Sequence, residues 1–130
     1  MKTLIVEDDL TSRILLNNIL APYGECHEAV NGREAVTAFL AAQEEGRQYD
    51  LITLDIMMPE MDGQETLKQI RNLEEADGIQ VGKGVKIIMT TALDDPQNVI
   101  KAHYEVCNGY LIKPIDKAKL LAHLQNFGLI

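Results

Sequence analysis

The sequence predicts an α/β domain: a five-stranded parallel sheet, doubly wound, with helices on both faces. Three observations carry that reading. Five short apolar runs bounded by turn signals alternate with five segments of helical period. The first, third and fourth runs are apolar nearly throughout, as central strands of a parallel sheet must be when both faces are buried. The acids, hydroxyls and ammonium that carry chemistry fall at the carboxyl ends of the runs, where a doubly wound sheet places its site.

Taken in order, Thr3–Val6 (TLIV) is the first strand and ends in Glu7, Asp8 and Asp9. Leu15, Leu16, Ile19 and Leu20 form the stripe of the first helix, and Gly24 suits its exit. Cys26–Val30 (CHEAV) carries His27 and Glu28 and reads as an edge strand. Asn31–Ala35 (NGREA) is a tight turn into a second helix, striped by Ala35, Val36, Phe39 and Leu40. It is too short to serve as a phosphate cradle. The third strand, Leu51–Leu54 (LITL), stops on Asp55, followed by Ile56, Met57, Met58 and Pro59. Leu67, Ile70 and Leu73 mark a third helix, and Glu74–Gly84 (EEADGIQVGKG) is a long glycine-rich loop, read as mobile surface or a small specialised contact. Val85–Thr90 (VKIIMT) is the fourth strand, with Thr91 at its end, and Val99, Ile100, His103 and Tyr104 mark a fourth helix. Gly109–Ile112 (GYLI) is the fifth strand and ends in Lys113 and Pro114. Asp116 is placed to cap the last helix, whose stripe is Leu120, Leu121, Leu124 and Phe127, and Gly128 suits its end.

The bulk numbers set bounds. At 130 residues, 46% hydrophobic and 25% charged, residues 1–130 read as one soluble domain with no second, output-type domain. A formal charge of -8 disfavours nucleic acid and anionic membrane as partners. The N-terminal run MKTLIVEDD turns acidic too soon for a signal peptide, and no segment nears the ~20 apolar residues of a membrane span. The expected location is cytoplasmic, with Cys26 and Cys107 reduced and half-buried. His27, His103 and His123 are scattered, with no base or ligand partner expected. Met57, Met58 and Met61 read as packing residues around the loop rather than as a sulfur site. Glu44, Glu45, Glu74 and Glu75 read as solvated helix ends.

The strand ends gather three or more acids, two threonines and one lysine on one rim. Carboxylates brought together protonate unless a cation keeps them ionised, and Lys113 alone is too little for Asp8, Asp55 and a neighbouring Glu7 or Asp9. Oxygen donors without histidine or cysteine suit a hard divalent ion, physiologically Mg²⁺. Asp55 then serves as ligand, nucleophile or both. An aspartate that attacks a phosphoryl group forms an acyl phosphate, and three equatorial oxygens must be neutralised during the transfer. The metal, Lys113, and the Thr91 hydroxyl with nearby backbone N–H groups supply those three contacts, and Pro114 stiffens the turn that aims the ammonium.

At this point the chain resembles the receiver domain of two-component response regulators, nearly end to end. The pieces that carry the likeness are LIVEDD, LITLDIMMPEMDG, IIMTTA and GYLIKPI. The resemblance implies the flavodoxin-like (βα)5 strand order 2-1-3-4-5. It also implies a phosphohistidine of a histidine kinase as donor and Asp55 as acceptor. Asp8, Asp55 and the Met57 backbone carbonyl would hold Mg²⁺, with Glu7 acting through water and Asp9 peripheral. Thr91 is implied as switch hydroxyl, Thr90 as inward-facing strand, Lys113 as site lysine before a proline with a cis bond, and Tyr110 as the switch aromatic. The partners implied are the kinase and a downstream target or phosphotransfer protein, acting on a monomer or a weak, phosphorylation-dependent dimer. Switching would reshape the face of the fourth helix, fifth strand and fifth helix. Where this family often has a small pair before the aromatic, this chain has Val106, Cys107 and Asn108. Met57 and Leu93 flank the acceptor as apolar residues and are expected to limit attack by water.

Other functions fit less well. A haloacid-dehalogenase type phosphatase needs an acid two positions after its nucleophile, where this chain has Met57. A contact module that has lost phosphorylation would have no use for Glu7, Asp8, Asp55, Thr91 and Lys113 together. A relay intermediate and a phosphate sink remain compatible with the same site.

Overall fold

The computed structural model describes residues 1–58, 60–92 and 107–130. The expected fourth helix, with His103 and Tyr104, lies outside the described residues, as do Leu93 and Val106. Five parallel strands, β1 (Lys2–Val6), β2 (Glu25–Ala29), β3 (Leu51–Asp55), β4 (Lys86–Thr91) and β5 (Gly109–Ile112), form one sheet in the order β2-β1-β3-β4-β5. Each strand edge differs from the sequence reading by one residue or none. The register aligns the finishing ends: Val6 lies beside Leu54, Asp55 beside Thr90, and Thr91 beside Ile112. Every residue of β3 is buried, so its apolar run is what a strand covered on both faces requires.

The helices divide between the faces. Ala35 and Phe39 of α2 (Gly32–Glu45) and Leu67 and Ile70 of α3 (Gly63–Ala76) pack on Leu4, Ile52, Leu54 and Ile87. Leu16, Ile19 and Leu20 of α1 (Leu10–Leu20) pack on Ile5, Leu51 and Ile88, as do Leu120 and Leu124 of the C-terminal helix (Lys117–Asn126). The buried stripes are narrower than the period implied. Leu15 and Leu40 stand 39% and 41% exposed, so each helix lays only part of its apolar face on the sheet.

Each of these helices starts on a side-chain oxygen that accepts a backbone N–H: Asp9 from Ser12, Asn31 from Glu34, Asp62 from Glu65 and Asp116 from Lys119. Asp116 was expected; Asp9, expected only to be peripheral, proves to be the cap of α1. Gly24 closes a short 3-10 turn, Ala21–Tyr23, that continues α1. Two further sequence readings need correction. Glu74 is buried, not solvated, because it pairs with Arg71 at 2.6 Å. His27 does have partners, the Tyr49 hydroxyl at 2.8 Å and Glu25 at 3.3 Å. Of the methionines around the loop, Met58 packs against the core and Met57 is 58% exposed.

Candidate functional site

Parallel strands that start together also finish together, so loops far apart in sequence emerge on one rim. β1 delivers Glu7 and Asp8 there, β3 delivers Asp55, β4 Thr91 and β5 Lys113. The backbone secures these positions with cross-strand bonds just past the strands. Glu7 N–H donates to Ala29 C=O at 3.0 Å, Ile56 N–H to Thr90 C=O at 2.9 Å, and Lys113 N–H to Thr91 C=O at 2.7 Å. The peptide bond between Lys113 and Pro114 is cis, as the resemblance implied.

One carboxylate oxygen from each of Glu7, Asp8 and Asp55 lies within 4.8 Å of the others. Glu7 and Asp55 are buried, whereas Asp8 is open to solvent. The Lys113 ammonium sits 2.5 Å from Glu7 Oε1 and 3.5 Å from Asp55 Oδ1. Glu7 Oε1 still lacks a directed hydrogen bond, so its contact with Lys113 is one of charge with poor angles. Asp9 N–H donates to the other Glu7 oxygen at 3.1 Å, and Met57 N–H to Asp55 Oδ1 at 3.3 Å.

Charge follows from that crowding. Burial, then hydrogen bonding and repulsion from Glu7, push Asp55 up to about 8, with Lys113 pulling the other way. Burial works against the Lys113 ammonium, but Glu7 and Asp55 outweigh it and its pKa is raised. Among the described residues the Lys113 ammonium pairs with two of the three carboxylates, Glu7 and Asp55, and one buried Glu7 oxygen has no directed donor. This oxygen-only set fits a hard divalent cation.

Two residues that shape the site were missed in the sequence. The Arg13 guanidinium donates to the carbonyls of Glu7 (3.0 Å) and Asp8 (3.3 Å), bracing the acidic loop from the first turn of α1. Its position one turn beyond the acids was the available signal. Gly63 opens α3 directly against Asp55: its N–H donates to Ile56 C=O at 2.9 Å, and a Cβ there would fall on the Asp55 carbonyl. The Asp62-Gly63 pair after the acceptor strand was the signal for it.

Thr91 is buried at the end of β4, and Tyr110 stands on β5, 41% exposed. Parallel pairing places Met89 beside Tyr110 and Thr91 beside Ile112. Thr91 and Tyr110 therefore share a face of the sheet on neighbouring strands, two positions apart along the chain direction.

Comparison with known proteins gives one consistent answer. A family model, the response regulator receiver domain, matches residues 3–125. The chemotaxis protein CheY of Thermotoga maritima is 30% identical over 95% of this chain and 93% of its own. A chain from the co-crystal of the yeast histidine phosphotransfer protein Ypd1 with the receiver domain of Ssk1 superposes with a TM-score of 0.83 at 31% identity. The match covers 98% of this chain and 88% of that one. A chain from the Borrelia burgdorferi CheX-CheY complex with BeF3 and Mg²⁺ gives a TM-score of 0.80 at 29% identity, covering 97% of this chain and 87% of that one.

Proposed function

The chain belongs to the response regulator receiver domains of two-component signalling, and on that premise we propose that Asp55 is its phosphoacceptor. The observation that carries this is the convergence of Glu7, Asp8, Asp55, Thr91 and Lys113 on one rim from four different strands. Asp55 is buried and positioned by the Met57 N–H, so one carboxylate oxygen is oriented while the other is left to attack. In the proposed transfer that oxygen forms a bond to phosphorus as the P–N bond of a kinase phosphohistidine breaks, and the departing imidazole keeps the electron pair and takes up a proton.

Asp8, Asp55 and the Met57 carbonyl would hold Mg²⁺, with Glu7 acting through water. Bound there, the ion supplies positive charge that keeps the carboxylates ionised and offsets the phosphoryl oxygens. Lys113, already within 3.5 Å of Asp55, reaches a second oxygen, and the Thr91 hydroxyl takes a third. Drawing Thr91 toward the phosphoryl group frees space on the face it shares with Tyr110, so the ring turns inward and alters the surface around β5. Met57, exposed beside the acceptor, would narrow the path of attacking water and lengthen the life of the phosphoryl group.

The donor is a histidine kinase, and the receiver of the signal is a protein. Leu10 and Ile14, 61% and 52% exposed one turn apart on α1, offer apolar ground for a protein beside the acidic loop. The likeness to a receiver crystallised with a phosphotransfer protein supports relay as a second role of the same site. Residues 1–130 would act as one cytoplasmic receiver unit, monomeric or weakly dimeric when phosphorylated. Acetyl phosphate with Mg²⁺ should label the wild-type chain at Asp55, and Asp55→Asn should abolish labelling with an unchanged circular dichroism spectrum. Labelling that persists in Asp55→Asn would overturn the assignment, and turnover of small phosphomonoesters would revive the phosphatase reading.

A further inference from the structure

The Glu74–Gly84 loop encloses a cleft of about 390 Å³ with the end of α3. Its walls reach Asn108, whose backbone bonds to Ile87 near the start of β4. Asp55, Thr91 and Lys113 stand where the strands finish, so the cleft lies at the opposite end of the sheet.

The polar floor is internally satisfied. Arg71 donates to Glu74 Oε1 at 2.6 Å, to Val85 C=O at 2.9 Å and to Asn108 Oδ1 at 3.0 Å. Val85 N–H donates to Glu74 Oε2 at 2.7 Å, and a Cβ on Gly84 would fall on that carboxylate, so the loop backbone closes against it. These bonds occupy Arg71, the one cation of the cleft wall among the described residues, which makes the floor a poor seat for an anion. What faces the space is apolar surface from Ile79 and Val81, the latter 90% exposed. Glu75, exposed to solvent, also lines the cleft, and no described residue pairs with its carboxylate. The negative end of the α3 dipole points the same way, and the last turn of α3 holds no basic residue to offset it. Lys83, in the same loop, is not part of the cleft wall.

Apolar walls under an unbalanced negative charge complement one chemistry. We propose that this cleft is a second binding site, for a small organic cation that carries an ammonium or amidinium on an apolar body. Its volume lies within the range of about 300–1,000 Å³ usual for small-molecule sites. The apolar body would cover Ile79 and Val81, and the cationic head would lie against Glu75 and the end of α3.

The probes are phenethylamine, phenylethanol and phenylacetate, which share a body and differ in charge, each titrated into the ¹⁵N-labelled full chain without phosphodonor. Phenethylamine should shift the amides of Ile79, Val81, Gly82, Gly84 and Asn108, binding roughly two- to fivefold tighter than the alcohol, the margin a half-exposed ion pair supplies. Glu75→Gln should erase that margin, and Val81→Ser should weaken amine and alcohol alike, both with unchanged melting temperature because both residues are exposed. Equal binding of all three probes, or shifts scattered over the surface, would overturn the proposal. Tighter binding of a capped Lys-Leu-Lys peptide than of the amine would also overturn it, in favour of a protein partner. None of these readouts involves Asp55, so failure here leaves the phosphoacceptor assignment standing.

Discussion

Asp55 and Lys113 carry opposite burdens in the same pocket. The Asp55 carboxyl, at 3.8 unperturbed and about 8 in the cation-free fold, binds more protons folded than unfolded between those values. Its stabilising contribution is therefore complete below pH 4 and is lost as pH rises toward 8. Asp55→Asn should accordingly raise the melting temperature of the metal-free protein at pH 8, by an amount on the order of 2 kcal/mol in stability, with the gain vanishing near pH 4. Saturating Mg²⁺ should close the same gap from the wild-type side, because it favours the ionised carboxylates. A gain that is flat across this range would contradict the buried, crowded environment of the carboxyl. Lys113→Ala strands the fully buried Glu7 charge and should cost about 3 kcal/mol in urea unfolding at pH 8. A loss well under 1 kcal/mol would mean that Glu7 does not depend on Lys113.

At the scale of elements, α3 shows how a local rule becomes a site. Asp62 caps the helix and Gly63 sets its first turn against the Asp55 backbone. The two neighbours should separate cleanly on mutation. Asp62→Ala removes one cap and should cost about 1 kcal/mol while leaving beryllofluoride binding in place. Gly63→Ala must push α3 away from Asp55 and should abolish beryllofluoride binding with helix content retained, which fluorine NMR and circular dichroism together would read. The other end of α3 behaves differently from its composition. Glu74 and Glu75 are adjacent acids in one sequence context, yet the first is buried on Arg71 and Val85 while the second faces water. Helical period separates them, since Glu74 continues the buried stripe of Leu67 and Ile70 and Glu75 does not. That an acid can occupy that stripe was decided by the loop, which folds back and supplies the Val85 N–H beside Arg71.

Across the whole molecule, the proposed switch would carry phosphorylation of Asp55 to Tyr110 through neighbouring strands that are already in register. Incorporated 3-fluorotyrosine should report it: beryllofluoride with Mg²⁺ should move the Tyr110 resonance toward a buried environment, and Thr91→Ala should suppress that movement while the ligand still binds. An unmoved Tyr110 signal in a saturated wild-type protein would remove the ring from the switch. The sheet, the helices of the described residues and the residues of the rim were legible in the chain alone, since runs buried on both faces must be apolar and parallel strands must finish on one side. The same rule puts Asp8, Asp55, Thr91 and Lys113 together from sequence alone. Arg13 as a brace, Gly63 as a spacer, Glu74 as a buried ion and His27 beside Tyr49 were decided only in three dimensions. Sequence pattern reports which residues water must leave. Which polar groups then meet depends on contacts between segments far apart in the chain, and those exist only once the chain has closed on itself.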